Sequence, residues 1–61
     1  MYRLLRLNAV KEITGLSRSS IYADLTFPRP VKIGERAVAW VEDEIGAWIS
    51  DRIAGRDEKQ Q

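Results

Sequence analysis

The residues best suited to binding chemistry are the polar side chains that follow one another at Ser17, Arg18, Ser19 and Ser20, with Tyr22 just behind them. Short hydroxyl groups and a guanidinium at the start of a helix can donate hydrogen bonds to phosphate oxygens and to base edges. Ser20 has a second interpretation, in which it completes a helix cap with Ser17. The stretch predicts a surface that binds phosphates and reads bases.

A helix that begins after Ser17 must position these side chains. Ser17 is a favourable N-cap, because its hydroxyl can accept a hydrogen bond from a backbone N–H of the first turn. Leu16 and Ile21 flank this cap with the spacing of a hydrophobic staple. We expect Ile21, Tyr22 and Leu25 to form the buried or half-buried side of this helix.

A shorter helix is predicted immediately before it. Asn8 is the candidate N-cap, residues 9–14 form the helix, and Gly15 ends it because glycine readily adopts a positive φ. Val10 and Ile13 are spaced to face inward, and residues 2–7 are expected to be an extended lead-in whose leucines cover the core. The two helices form a minimal helix–turn–helix, a pattern that generic helical hairpins share.

A β-hairpin is predicted after the second helix. The prolines in residues 27–30 end the helical region, since proline lacks a backbone donor and restricts the residue before it. Two short strands are then predicted at residues 31–33 and 38–40, because apolar side chains alternate along each segment. We expect a four-residue loop at 34–37 between them.

The register of this hairpin follows from its apolar residues. A pairing of Ile33 with Val38 and of Val31 with Trp40 places all four on one face, with Lys32 on the other. A two-residue loop would instead pair Ile33 with a charged residue and lose this match.

The last predicted element is a helix that packs on the core. Acidic residues at 42–44 are favourable at its N-terminus because of the helix dipole, and they lack the fourth ligand of a metal site. Its apolar stripe has helical spacing and consists of Ile45, Trp48, Ile49 and Ile53. Trp40 and Trp48 are expected in the core. Gly55 is the predicted C-terminal stop, which divides the chain into a domain at 1–55 and a frayed tail at 56–61.

Composition excludes several functional classes. The 61 residues contain no Cys and no His, so disulfides, ordinary zinc or haem sites and Ser/His or Cys/His catalysis are absent. So short a chain has little volume for a substrate pocket. We expect no enzyme, no cofactor and no small-molecule substrate. No apolar run approaches the length of a membrane span, so a cytoplasmic location without membrane contact is expected.

Charge is unevenly distributed along the chain. Residues 1–36 hold seven basic and three acidic residues, a net +4, whereas residues 37–61 hold three basic and six acidic residues, a net −3. Such a chain can present a basic face to an anionic partner. The same distribution also fits ordinary solvated charges.

Five segments, in this order and spacing, resemble the AlpA-type prophage regulators, small DNA-binding proteins of the MerR and excisionase group. They are Arg3-Leu4-Leu5-Arg6-Leu7, Thr14-Gly15-Leu16-Ser17-Arg18-Ser19-Ser20-Ile21-Tyr22, Phe27-Pro28-Arg29-Pro30-Val31-Lys32-Ile33-Gly34, Arg36-Ala37-Val38-Ala39-Trp40 and Glu44-Ile45-Gly46-Ala47-Trp48-Ile49. The resemblance covers about residues 3–56 and implies an α+β, mostly α, winged helix–turn–helix of two short helices, a hairpin wing and a C-terminal helix.

The resemblance also implies how the site works, with a recognition helix in the major groove of double-stranded DNA and a wing on the backbone or minor groove. Residues 17–20 and Tyr22 would belong to the recognition helix, and Lys32, Gly34 and Arg36 to the wing, while Arg29, held between prolines, would contact the backbone. Arg3 and Arg6 are weaker candidates. Relatives usually continue the helix by about one turn after the position of Tyr22, so this chain's recognition helix must be shorter or its link to the wing tighter.

Three functions are open at this point. The first is a sequence-specific transcriptional regulator, which would need self-association on DNA, an integrase or RNA polymerase to gain specificity. The second is an excisionase-like directionality factor that bends DNA. The third, from another class, is a protein-interaction module that has lost DNA binding and docks through its last helix.

Overall fold

The computed structural model describes the backbone of residues 1–59 and the side chains of residues 1–56. Three helices and three short strands follow one another in the order β1 (Leu4–Leu5), α1 (Leu7–Thr14), α2 (Arg18–Ala23), β2 (Val31–Lys32), β3 (Val38–Val41) and α3 (Glu42–Lys59). The predicted α+β, mostly helical class is confirmed. None of the described helices is both long and apolar enough to cross a membrane.

The turn between α1 and α2 forms as its residue types predict. Gly15 has φ 74° and its N–H donates to the Lys11 carbonyl, which ends α1. Ser17 is extended, and its hydroxyl accepts from the Ser20 N–H at 3.1 Å. Thr14 reinforces the turn, because its hydroxyl donates to the Val10 carbonyl.

The start of α1 differs from the prediction by two residues. Asn8 is not the N-cap, since α1 begins at Leu7 and Arg6 occupies the cap position without a side-chain capping bond. The physical reason is the strand that precedes it. β1 leaves Arg6 extended, and the Arg6 carbonyl becomes the first acceptor of the helix, from the Val10 N–H at 3.1 Å.

The sheet has three antiparallel strands in the order β1-β3-β2. The predicted extended lead-in forms its first strand, with Leu4 opposite Val41 and Leu5 opposite Trp40. Leu5 is buried and Leu4 is exposed, as the alternation of side chains across a strand requires. This long-range pairing brings the start of the chain beside the hairpin.

The predicted hairpin register is wrong by one residue. Val31 lies opposite Ala39 and Lys32 opposite Val38, and the Ile33 N–H donates to the Ala37 carbonyl across a loop at residues 34–36. A shift of one residue moves a side chain to the other face of a sheet. Ile33, like Val31, is therefore exposed, and Phe27 is the residue from this region that enters the core.

Trp40 lies at the centre of the core and is fully buried, and its indole N–H donates to the Pro28 carbonyl at 3.1 Å. The buried cluster consists of Leu5, Val10, Ile21, Phe27, Trp40 and Ile45. Trp48 is only half buried and packs edge-on against Phe27, with ring centroids 4.9 Å apart. The prediction of a core tryptophan is confirmed in full for Trp40 and in part for Trp48.

Four residues predicted to cover or pack on the core are exposed instead: Leu4, Ile13, Leu25 and Ile53. Leu25 is 83% exposed, because α2 ends at Ala23 and Leu25 lies in the turn beyond it. Ile13 is 50% exposed, since it lies near the end of α1 and borders a shallow groove against Ile53 of α3.

Helix α3 begins at Glu42, directly after β3, and continues through Gly55 to Lys59. The predicted stop at Gly55 is therefore wrong. Gly55 does not adopt a positive φ, and a Cβ at this position would meet no neighbouring atom within 4 Å. Gln60 and Gln61 of the predicted tail lie outside the described residues, and the division at residue 55 stays a prediction.

Candidate nucleic-acid interface

Every residue that the sequence predicts to bind DNA is exposed. These residues are Ser17, Arg18, Ser19, Ser20, Tyr22, Arg29, Lys32, Gly34 and Arg36. They come from α2, from the proline-rich segment and from the hairpin, so their arrangement depends on how these three parts pack around Trp40.

The serines at the start of α2 divide into two kinds. The Ser17 hydroxyl donates to the Ser20 hydroxyl at 3.1 Å while accepting from the Ser20 N–H. This geometry corresponds to the capping interpretation of Ser20. Ser19 makes no side-chain hydrogen bond within the part of the chain that the structure describes. Its hydroxyl is therefore the one in this turn that is open to a ligand.

Arg18 and Tyr22 form one unit on the surface of α2. The Arg18 guanidinium carbon lies 5.5 Å from the centre of the Tyr22 ring, a cation–π distance. The Tyr22 ring meets Trp40 edge-on at 5.8 Å, and the side chain is 46% exposed. The core thus orients Tyr22, and Tyr22 in turn supports Arg18 at the surface.

A recess of about 280 Å³ lies between this unit, the β2–β3 hairpin and the start of α1. We call it the arginine recess, after Arg6, Arg18 and Arg36, which line it together with Leu7, Asn8, Tyr22 and Val38. None of these lining residues is acidic. The structure thus brings together two predicted site residues from separate elements, Arg18 of α2 and Arg36 of the hairpin loop.

Arg6, a weaker candidate than the residues of α2 and the hairpin on sequence grounds, also lines the recess. In the sequence only its positive charge indicated a DNA-binding role, and an exposed arginine before a short helix is common without such a role. Its position beside Arg36 results from the pairing of β1 with β3. No pattern within residues 1–10 indicates that pairing.

The corrected register also changes the position of Lys32. Directly opposed residues in an antiparallel pair share a face of the sheet. Lys32 therefore shares the face of Val38, which lines the arginine recess, and not the opposite face. Gly34 is exposed in the loop, and a Cβ there would lie at an ordinary 3.7 Å from the Ala37 Cβ.

Arg29 is not brought to the arginine recess. It borders a different groove, of about 550 Å³, between the proline-rich segment and α3. Glu44 and Asp51 of α3 line the same groove. An arginine beside two carboxylates is a poorer phosphate ligand than one beside other arginines.

The short link after α2 is held by a polar cluster that we call the Asp24 network, formed by Asp24, Thr26, Trp48 and Arg52. The Asp24 carboxylate accepts from the Thr26 hydroxyl at 2.6 Å and from the Thr26 N–H at 2.8 Å. Arg52 donates to Asp24 at 3.1 Å, and the Trp48 indole donates to the Thr26 hydroxyl. Arg52 also stacks on the Trp48 ring at 4.7 Å.

This network fixes the link that follows the short helix α2. The hydrogen bonds from Thr26, and then the Arg52 guanidinium, hold the pKa of Asp24 below its ordinary value of 3.8. The carboxylate stays ionised and ties the turn after α2 to α3. A non-helical link held by Asp24 thus connects α2 to Phe27 in the core, where an additional turn of α2 would otherwise be needed.

Comparison with known proteins identifies the family. Residues 3–53 match the family described as prophage CP4-57 regulatory protein (AlpA). The chain belongs to the AlpA family. The family resemblance noted from the sequence is thus confirmed.

Two relatives show similarity to this chain. The DNA-binding transcriptional activator AlpA of Escherichia coli (strain K12) is 41% identical, over 82% of this chain and 84% of the relative. The uncharacterized protein ORF88 of Enterobacteria phage P4 is 46% identical, over 88% of this chain. The match spans 65% of the phage protein, slightly under two thirds of its length. No solved structure matches this chain.

Proposed function

We propose that this AlpA-family protein is a sequence-specific, DNA-binding transcriptional regulator of prophage type. The observation that carries the proposal is the convergence of Arg18 from α2 and Arg36 from the wing on one exposed recess without an acidic side chain. Family membership supports it, as does the E. coli relative, whose name describes a DNA-binding transcriptional activator. The proposal involves no catalytic step and no cofactor.

In this proposal α2 lies in the major groove and the hairpin wing lies along the backbone or minor groove. Arg18 reads a base edge, because a guanidinium can donate two hydrogen bonds to guanine. Lys32 and Arg36 bind phosphates, which fix position and affinity without reading sequence. The Ser19 hydroxyl, open to a ligand, donates to a phosphate at the start of α2.

Useful specificity requires more than one such module. A single small domain buries roughly 600–1,000 Å² of surface on DNA, which limits its affinity. We therefore propose self-association on tandem or inverted sites, or contact with an integrase or RNA polymerase.

The deciding experiment is fluorescence anisotropy with a labelled random-sequence duplex at low and moderate salt. About four phosphates neutralised by basic side chains, Lys32 and Arg36 among them, predict a loss of about a hundredfold in affinity over a fourfold rise in salt. That result would justify selecting the operator from a random pool. A selected site could then be tested for bending, which would favour the excisionase-like alternative.

A negative result would also be informative. Absence of binding at ~10⁻⁴ M protein and low salt, the weak limit for non-specific contacts, would overturn the proposal. The interaction-module alternative would then take its place, with the groove bordered by Ile13 and Ile53 as the first docking surface to probe.

A further inference from the structure

We infer that the arginine recess is an anion site that holds one backbone phosphate of DNA between Arg6 and Arg36. This makes Arg6 a DNA-binding residue. The inference rests on the proposed function and goes further by assigning a single ligand group to a single place. It depends on how three separate parts of the chain meet at the recess.

The first step is that the charges of the recess are uncompensated. Among the described residues Arg6 and Arg36 form no ion pair or side-chain hydrogen bond. Arg18 likewise has no ion pair there, and its guanidinium lies over the Tyr22 ring. Three guanidinium groups around about 280 Å³ repel one another. Such a cluster is stabilised by an anion that lies between its members.

The second step concerns shape and chemistry. A guanidinium presents a planar set of donors that matches two oxygens of a phosphate. Arg6 and Arg36 approach the recess from different elements, the start of α1 and the tip of the wing. One phosphate diester with two free oxygens can therefore accept from both.

The third step is that the recess is well placed on the domain for DNA. It lies between α2, which carries Arg18, and the wing, which carries Lys32 on the same face of the sheet. A phosphate at this point would set the distance between the base-reading helix and the wing. A phosphate bound in the recess would thus fix where α2 and the wing each meet the DNA.

The neighbouring arginine Arg3 offers a matched control. It lies three residues before Arg6, its side chain is 75% exposed, and it pairs with Glu42 at 3.6 Å. Arg3 does not line the recess. Arg3→Gln and Arg6→Gln therefore remove the same charge from the same segment, and only Arg6→Gln removes it from the recess.

The experiment compares the random-sequence duplex affinity of the wild type with that of Arg6→Gln, Arg36→Gln, the double variant and Arg3→Gln, from about 50 mM to about 200 mM salt. We expect each recess variant to bind more weakly than Arg3→Gln. The double variant should lose about 0.9 from the slope of log affinity against log salt, which is about eightfold in affinity at ~0.1 M salt, because one phosphate contact is lost.

Three further results decide the inference. A slope loss of about 1.8 in the double variant would mean two separate phosphates and would overturn the shared site. Recess variants that bind like Arg3→Gln would overturn the role of Arg6. If the wild type still bound DNA with a steep salt dependence, that result would leave the proposed function intact. A wild type that binds no duplex would defeat the proposed function itself.

A charge-preserving variant separates binding from folding. Arg6→Lys keeps a positive charge, so it should retain the affinity that Arg6→Gln loses. Both side chains are exposed, so the melting temperature of neither variant should fall below that of Arg3→Gln. A fall in melting temperature in Arg6→Gln that Arg6→Lys does not correct would overturn a binding role for this side chain.

Discussion

The arginines of this domain occupy two contrasting surroundings. Arg6 and Arg36 lie around a recess with no carboxylate in its lining. Arg52, in contrast, donates to Asp24 and to Thr26 and stacks on the Trp48 ring. The residue type is the same, and the neighbours decide whether its charge is available to a ligand or is used within the fold.

This difference shows that separate arginines of one small domain serve ligand binding and fold stability. In the Asp24 network the donors of Arg52 are largely used by the turn after α2. In the arginine recess the donors are unused and the cations repel one another, which costs stability in the absence of a ligand. A variant in the first region should therefore change melting, and one in the second should change binding.

The largest effect is expected at Trp40, whose side chain supports both Tyr22 of α2 and the proline-containing segment at residues 27–30. Trp40 meets Tyr22 with its ring edge and donates to the Pro28 carbonyl. Trp40→Ala should cost about 3–5 kcal/mol, a large part of the stability of a domain this small. Chemical denaturation would measure it, with Trp48→Ala, at a half-buried site, as the milder control. An equal loss at both tryptophans would show that Trp40 is not the shared support.

The next effect separates base reading from support. Arg18→Ala should lower the discrimination between a selected operator and a random duplex by about 1–3 kcal/mol, the worth of a bidentate base contact. Arg52→Ala should lower the melting temperature by a few degrees and leave this discrimination unchanged. Binding isotherms on both duplexes and a thermal melt of each variant provide the measurement. If Arg52→Ala relaxed the preference as much as Arg18→Ala, the separation would be wrong.

A smaller effect is expected at Lys32. Lys32→Ala should weaken all duplexes alike, by about eightfold at ~0.1 M salt, and lower the salt slope by about one, because one phosphate contact is lost. Arg29→Ala is the control, since Arg29 lies beside Glu44 and Asp51 and should change the slope less. Loss of affinity by Lys32→Ala on the operator alone would instead assign Lys32 to base reading.

The smallest effect concerns the pH dependence of the Asp24 network. The pKa of Asp24 is lowered in the folded protein, so its stabilising contribution is present above its ordinary pKa of 3.8 and is lost as the pH falls through the lower folded value. Asp24→Asn should therefore melt below the wild type at neutral pH. In acid the two melting curves should converge. If the difference in melting temperature between wild type and Asp24→Asn were the same at neutral and at acid pH, the ionised carboxylate could not be the cause of that difference.

Local features of the fold were predictable because each depends on residues close together in the chain. Gly15 ends α1 and Ser17 caps α2 through backbone conformations that their own side chains favour. The acids at 42–44 open α3 for the same local reason. The family resemblance added the order of the elements, including the wing.

Features that depend on distant residues were not predictable in this way. The hairpin register was wrong by one residue because Phe27, not Ile33, enters the core near Trp40, and apolar alternation alone cannot indicate which of them does. The inward positions assigned to Ile13 and Leu25 were wrong because the end of α2 and the path of α3 decide what those residues meet.

The sequence by itself determined the turn between α1 and α2 with its caps at Gly15 and Ser17, the exposed basic and hydroxyl groups of α2 and the family of the chain. Only the tertiary structure decided that Arg6 lies with Arg18 and Arg36, and that Arg52 is bound to Asp24. Caps and turns depend on interactions between residues a few positions apart. The environment of an arginine depends on strand pairing and helix packing between distant segments, and neither is encoded in its neighbours along the chain.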